Sequence, residues 1–141
     1  MRNFGAIATM GTSDFSFPKN EHLKHRRLFE TLFAKGKKEF KYPVMAVWVE
    51  TDLLDETPIK VGFTASKKNY KRAVMRNSLK RKMREAYRLQ KAPLLKLLQE
   101  QNKQIAVLFV TVKTDNTSYE VLQDKILLLL QEIEGKLRNA G

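Results

Sequence analysis

Apolar residues return along this chain with two different periods. Through "EHLKHRRLFETLFAKGK" (residues 21–37), Leu28 and Leu32, and beside them Phe29 and Phe33, recur every four residues. That is the spacing of one face of an α-helix. Gly36 is a helix stop, and Lys35 and Lys37 sit at the negative end of the helix dipole. "YPVMAVWVET" (42–51) is dense in β-formers, among them Val44, Val47, Trp48 and Val49, and predicts a strand. An acidic turn, "DLLDETP", follows. Ile59, Val61, Phe63 and Ala65 then alternate with other residues, which predicts a strand with one apolar face. Residues 67–72 are a polar loop, and a helical period resumes to about Gln90. "APLLKLLQEQNK" (92–103) opens with a break at Pro93 and continues as a short helix. "QIAVLFVTVK" (104–113) is apolar almost throughout, as in a strand buried on both faces. The closing stretch, 114–139, is a long helix that opens on a capping-box pattern, Thr117-x-x-Glu120. The order is helix, two or three strands, helix, strand, helix. It predicts a small α+β domain in which helices pack on one sheet.

Composition narrows this picture. A chain of 141 residues suits one domain, and a hydrophobic share of 43% is enough for a real core. Residues 1–18 read as a loose, partly disordered extension and residues 19–138 as the domain. There is no cysteine, so there is neither a disulfide framework nor a thiolate metal site, and this fits a reducing cytoplasm. No run reaches the roughly 18 apolar residues of a membrane span. The longest aliphatic block, Ile126 to Leu130, is flanked by charge.

Charge changes the picture most. The net charge is +12, and residues 67–91 hold eleven of the 27 lysines and arginines against one carboxylate, Glu85. On a helical wheel stepping about 100° per residue, Arg76, Asn77, Lys80, Arg81, Arg84 and Arg88 fall within one arc of roughly 140°. Met75, Leu79, Met83 and Ala86 lie on the opposite side, with Tyr87 at the seam. One face packs on the sheet and the other is a cationic stripe. A plain solvated helix face is the simplest account of such a stripe. Yet cations crowded on one side repel one another, and phosphates convert that cost into binding by releasing counterions. The wheel does not distinguish DNA from RNA.

The string "VGFTASKKNYKRAVMRNSLKRKMREAYR" (61–88) adds more. Val61, Gly62, Ser66, Lys67, Lys68, Ala73, Val74, Arg76, Asn77, Lys80, Arg81, Arg84, Glu85, Ala86, Tyr87 and Arg88 stand in the order of the signature of bacterial ribonuclease P proteins. The opening "FPKNEHLKHRRLFETLFAKGK", with Leu23, Phe29, Phe33 and Gly36, is also similar to that family. The resemblance covers about residues 17–135. Ser78 departs from it, standing where the family usually has a second arginine after Asn77.

The resemblance implies a single αβββαβα domain of the ribosomal protein S5 domain 2-like class. Its sheet is mixed, helices pack on it, and a left-handed crossover joins parallel strands through the basic helix. It implies a cytoplasmic protein subunit that binds the catalytic RNA of ribonuclease P and the 5′ leader of precursor tRNA. No residue of the chain is expected to be catalytic or to bind metal. Magnesium is expected through the RNA, and neither a membrane nor an obligate protein partner is expected.

Two surfaces follow. Lys67, Lys68, Lys71 and Arg72 in the loop, with Arg76, Asn77, Lys80, Arg81, Arg84 and Arg88 on the helix, are the candidates for the catalytic RNA. Phe29, Phe33 and Tyr42, beside Trp48, are candidates for stacking on leader bases. A core role for Phe29 and Phe33 is the competing reading, and Trp48 reads as core. His22 and His25, with Glu21 beside them, read as surface residues rather than an acid–base or metal site. The rivals are a structural RNA-binding protein such as a ribosomal one, a basic amphipathic helix for a membrane surface or a calmodulin-like partner, and a nuclease acting alone.

Overall fold

A computed structural model describes residues 21–23, 26–53, 55–112 and 118–140. The expected N-terminal extension, residues 1–18, lies outside them. Helix α1 (Arg26–Lys35) forms on the Leu28/Leu32 stripe, and both leucines are buried. Gly36 ends it in a close approach: a Cβ there would sit 2.6 Å from Val47 Cγ1 and would collide with the Leu32 carbonyl oxygen. The chain therefore passes from helix to strand with no intervening loop. Strand β1 (Lys37–Lys41) follows, then a turn at Tyr42–Pro43, then β2 (Val44–Glu50) and β3 (Ile59–Ala65). Helix α2 (Ala73–Gln90) is the predicted basic helix. Helix α3 (Ala92–Gln101) has proline in its first turn and ends on Asn102 in the left-handed conformation. Strand β4 (Ile105–Thr111) and helix α4 (Tyr119–Ala140) complete the order. Thr117, half of the predicted capping box, lies outside the described residues, and the Val121 N–H donates to Ser118 Oγ at the start of α4.

The four strands lie in the order β1-β2-β4-β3. β1 and β2, and β2 and β4, are antiparallel, whereas β3 and β4 are parallel and are joined through α2 and α3. The sheet is therefore mixed, as expected. β4 is central and buried on both sides, and this explains its unbroken apolar run. Ile105, Val107 and Phe109 enter a large core with Leu79, Met83, Ala86 and Tyr87 of α2 and the apolar face of α4. Ala106 and Leu108 enter a smaller core on the other face, with Leu28 and Leu32 of α1, Val47 and Leu53. Beneath α2, the rings of Tyr87, Phe63 and Phe109 cluster with centroids 5.7–6.2 Å apart.

Among the described residues two lysines, Lys60 and Lys91, are buried, and each has its own carboxylate. Lys60 Nζ lies 3.2 Å from Asp55 Oδ2. Desolvation alone would raise the Asp55 carboxyl, but hydrogen bonds from Thr57 and the Lys60 ammonium outweigh it and hold the group below 3.8. Asp55 therefore has a structural role within the acidic turn. Gln104 braces the same turn, accepting from the Leu53 N–H and donating to the carbonyls of Asp55 and Thr57. Lys91, the last cation of the basic segment, is not on the surface. It is 1% exposed, 2.9 Å from Glu21 Oε1 and 5.8 Å from the centroid of the Tyr87 ring. Burial raises the Glu21 carboxyl by more than Lys91 lowers it. Removing one partner of a buried pair typically costs about 3–5 kcal/mol, because the other charge stays behind. Glu21→Ala should lose stability of that order in urea unfolding, and adding Lys91→Met should restore most of it. A double variant no more stable than Glu21→Ala would show that the pair is not the cause.

Candidate nucleic-acid interface

The interface begins where β3 ends. The Ser66 carbonyl accepts from the N–H groups of Asn69 and Tyr70, and Ser66 Oγ accepts from the Lys68 N–H. Tyr70 turns inward and its hydroxyl donates to the Val112 carbonyl at 2.7 Å. This compact turn leaves Lys67, Lys68, Lys71 and Arg72 exposed on a pinned backbone. Arg76 then closes the loop onto α2, its Nη1 donating to the carbonyls of Tyr70 at 2.8 Å and Lys71 at 2.9 Å. Arg76 is half-buried and holds the loop, so it does not simply face outward as the wheel suggests.

Along α2 the buried side is Leu79, Met83, Ala86 and Tyr87. Asn77, Arg81 and Arg84 are exposed, and Lys80 and Arg88 are half-buried. The Arg88 guanidinium binds the Glu85 carboxylate, Nε to Oε2 at 3.1 Å. That hydrogen bond, against a smaller desolvation effect, holds Glu85 below 4.5. Among the described residues, Lys67, Lys68, Lys71, Arg72, Lys80, Arg81 and Arg84 enter no ion pair. Eight of the ten predicted positions thus form a ridge free of carboxylate partners, while Arg76 and Arg88 support it. The first turn of α2 stands clear of the core: Met75, which the wheel places on the packed face, is 40% exposed.

The aromatic surface differs from expectation. Phe29 is half-buried against the smaller core, so the core reading holds for it in part. Phe33 is 71% exposed and makes no ring contact with a described aromatic. Tyr42 is in the β1–β2 turn rather than on the strand, because the strand begins after Pro43. Trp48 is core. It lies on the opposite face, where its Nε1 donates to Glu39 Oε2 and the Lys37 ammonium lies over its ring. The residue that sequence reasoning missed is Phe40, 55% exposed and in edge-to-face contact with Tyr42 at 6.3 Å.

Strand register explains the position of Phe40. Phe40, Met45, Val110 and Thr64 lie directly opposite one another across all four strands. The next row on that face contains Val47 and Leu108, which α1 covers. The row of Phe40 is the one that α1 leaves open, and Met45, Val110 and Thr64 are each half-exposed. It is a partly open row of the sheet whose Thr64 end lies three residues before Lys67, where the basic loop starts. The register of β1 could have revealed it, but "KKEFK" carries no apolar alternation to mark a strand.

His22 pairs with Val61 at the outer edge of β3, and His25 lies outside the described residues. Among the described residues, no group of three or more His, Asp or Glu side chains could hold a metal ion. No described helix is long and apolar enough to cross a membrane.

A small mixed-sheet α+β domain, with a basic helix between parallel strands and a cationic ridge free of carboxylate partners among the described residues, has the form of a nucleic-acid-binding protein. Residues 17–134 match the family model for ribonuclease P. The ribonuclease P protein component of Chlorobium phaeobacteroides is 36% identical over 129 residues, 84% of this chain and 88% of that protein. That of Porphyromonas gingivalis is 30% identical over 90% of this chain and 93% of its own. The chain belongs to the ribonuclease P protein family. The solved ribonuclease P proteins of Thermotoga maritima and Staphylococcus aureus share its fold. Their TM-scores are 0.59 and 0.58 at 21% and 19% identity, over 79% and 80% of this chain and 96% and 94% of theirs.

The loop geometry separates support from contact. Arg76→Ala should lower stability by about 1 kcal/mol, since the part-buried Tyr70 carbonyl and the exposed Lys71 carbonyl lose a charged donor. Tyr70→Phe should cost about 1 kcal/mol through the lost bond to Val112. Arg84→Ala should leave the urea midpoint in place. Equal midpoints for all three variants would contradict the assigned supports.

Proposed function

We propose that this chain is the RNA-binding protein subunit of a cytoplasmic ribonuclease P, acting with the catalytic RNA on precursor tRNA. The observation that carries the reading is the ridge itself: seven cations from Lys67 to Arg84 with no carboxylate partner among the described residues. A duplex or folded RNA presents closely spaced phosphates, and each one neutralised releases condensed counterions. Arginines add bidentate contacts to phosphate oxygens. The pinned loop and the packed face of α2 hold these groups in place beforehand, so little ordering remains to be done on binding.

The surface of Phe40, Tyr42, Met45 and Val110, flanked by Phe29, is the place for the single-stranded 5′ leader. Exposed rings beside a half-open sheet row can stack on successive bases with little regard to sequence. Phe33, more exposed and farther along α1, is a secondary candidate. Because the Thr64 end of the open row runs into the basic loop, leader and catalytic RNA would lie on adjoining surfaces. The chemistry of leader cleavage belongs to the RNA, with magnesium bound there. The protein lowers the magnesium requirement by screening phosphates and by holding the leader.

The test is reconstitution. Added to bacterial ribonuclease P RNA at low magnesium, the protein should raise the rate of precursor tRNA cleavage. An RNA that gains nothing from it would favour a structural RNA-binding role instead, and cleavage by RNA-free protein would point to a nuclease acting alone. Arg81→Ala and Arg84→Ala should each weaken RNA binding and flatten the log–log salt dependence by about one unit. Phe40→Ala and Tyr42→Ala should selectively weaken precursor over mature tRNA by about 1 kcal/mol or more, as a lost stacking platform would. Unchanged discrimination in both would remove this surface from the leader path.

A further inference from the structure

We propose that the first turns of α2 carry a subsite for one unpaired nucleotide of the partner RNA, built around Ser78. The inference rests on the RNA-binding reading above and adds to it a base contact. Arg72, Val74, Met75, Ser78 and Lys82 line a depression of about 390 Å³ on the flank of α2. On the wheel this flank lies between the exposed cations, which end at Arg81, and the packed side. An apolar cavity of about 150 Å³ takes a benzene ring, so this depression is large enough for a nucleobase with its ribose.

The chemistry of the lining favours a base over a bare phosphate. Val74 is 81% exposed and Met75 is 40% exposed, within the most cationic stretch of the chain. Two apolar side chains add nothing to phosphate binding, but they present a surface to the face of a base, and the methionine thioether is a polarizable partner for such rings. Arg72 and Lys82, both in the lining, supply cations for the phosphates that flank an extruded nucleotide. The Ser78 hydroxyl can donate to or accept from a base edge or a 2′-hydroxyl. Two side chains are far too little for a protein partner, which needs about 800 Å² on each side.

Ser78 also keeps the depression open. An arginine there, as in the pattern the sequence otherwise resembles, would lie across it. The two accounts of Ser78 therefore predict opposite results. If position 78 is only a missing phosphate contact, restoring the arginine strengthens binding. If it is the floor of a nucleotide subsite, the arginine blocks it.

The experiment is chemical probing of base faces in the ribonuclease P RNA of the same organism, alone and with wild-type, Ser78→Arg or Val74→Gln protein, together with filter-binding titration at fixed salt. Wild-type protein should protect at least one unpaired base that both variants leave reactive. Ser78→Arg should bind about tenfold more weakly despite its added charge. Val74→Gln, which changes no charge, guards against an effect of the arginine alone. Retention of every base protection by Ser78→Arg, at any affinity, overturns the subsite while leaving the ridge intact. A wild-type protein that does not bind this RNA overturns the proposed function itself.

Discussion

The apolar seam under α2 is the interaction on which the rest of the molecule depends. Leu79, Met83, Ala86 and Tyr87 are fully buried, and Tyr87 enters a ring cluster with Phe63 of β3 and Phe109 of β4. Burying side chains of this size contributes about 1.5–3 kcal/mol each for the larger ones. That is enough to hold a helix whose opposite side repels itself. The seam also fixes the rotation of the helix about its axis. The helical period puts the cations on one side, and the seam turns that side away from the sheet. Fold and interface therefore come from the same four residues.

The pairing of β3 with β4 carries the constraint further. The two strands are parallel, so α2 and α3 must cross the sheet to connect them. The basic loop consequently starts at the end of the sheet where α1 leaves a row uncovered. Phe40, Met45, Val110 and Thr64 are contributed by four strands, yet they form one row because the register is continuous. The open row and the ridge adjoin because of topology, and no local sequence feature sets that relationship.

Much of this was legible beforehand because it depends on local period. The faces of α2, the two-sided burial of β4 and the end of α1 at Gly36 all follow from spacing within one element. The failures share a cause as well. Lys91 reads as one more cation of the segment, but its burial depends on Glu21, 70 positions away. Arg76 reads as an outward contact, but its partners are carbonyls of a turn whose shape the sequence does not show. Phe40 sits in a strand with only one apolar residue, and its neighbours come from other strands. Tyr42 was displaced by a turn at Pro43. What the sequence pattern misses is what depends on which elements lie side by side.

The placement of carboxylates bears on why the ridge is unpaired. The chain has 15 acidic residues, so acids are not scarce. Glu21 serves buried Lys91 and Asp55 serves buried Lys60. Glu39, itself buried, joins Trp48 to Lys136 and so ties α4 to the edge strand β1. Glu50 meets Lys103 where β2 ends and β4 begins. Lys91 and Lys60 are the buried cations among these, and there an unpaired charge would be costly. On the exposed surface of α2 only Glu85 is acidic, and it is held by Arg88. A surface ion pair contributes little to stability, so folding alone gives no reason to add more there. Equally, nothing in folding rewards concentrating cations on that one side. The ridge makes sense as a surface whose counter-charges arrive with a partner, and closely spaced RNA phosphates are counter-charges of that kind.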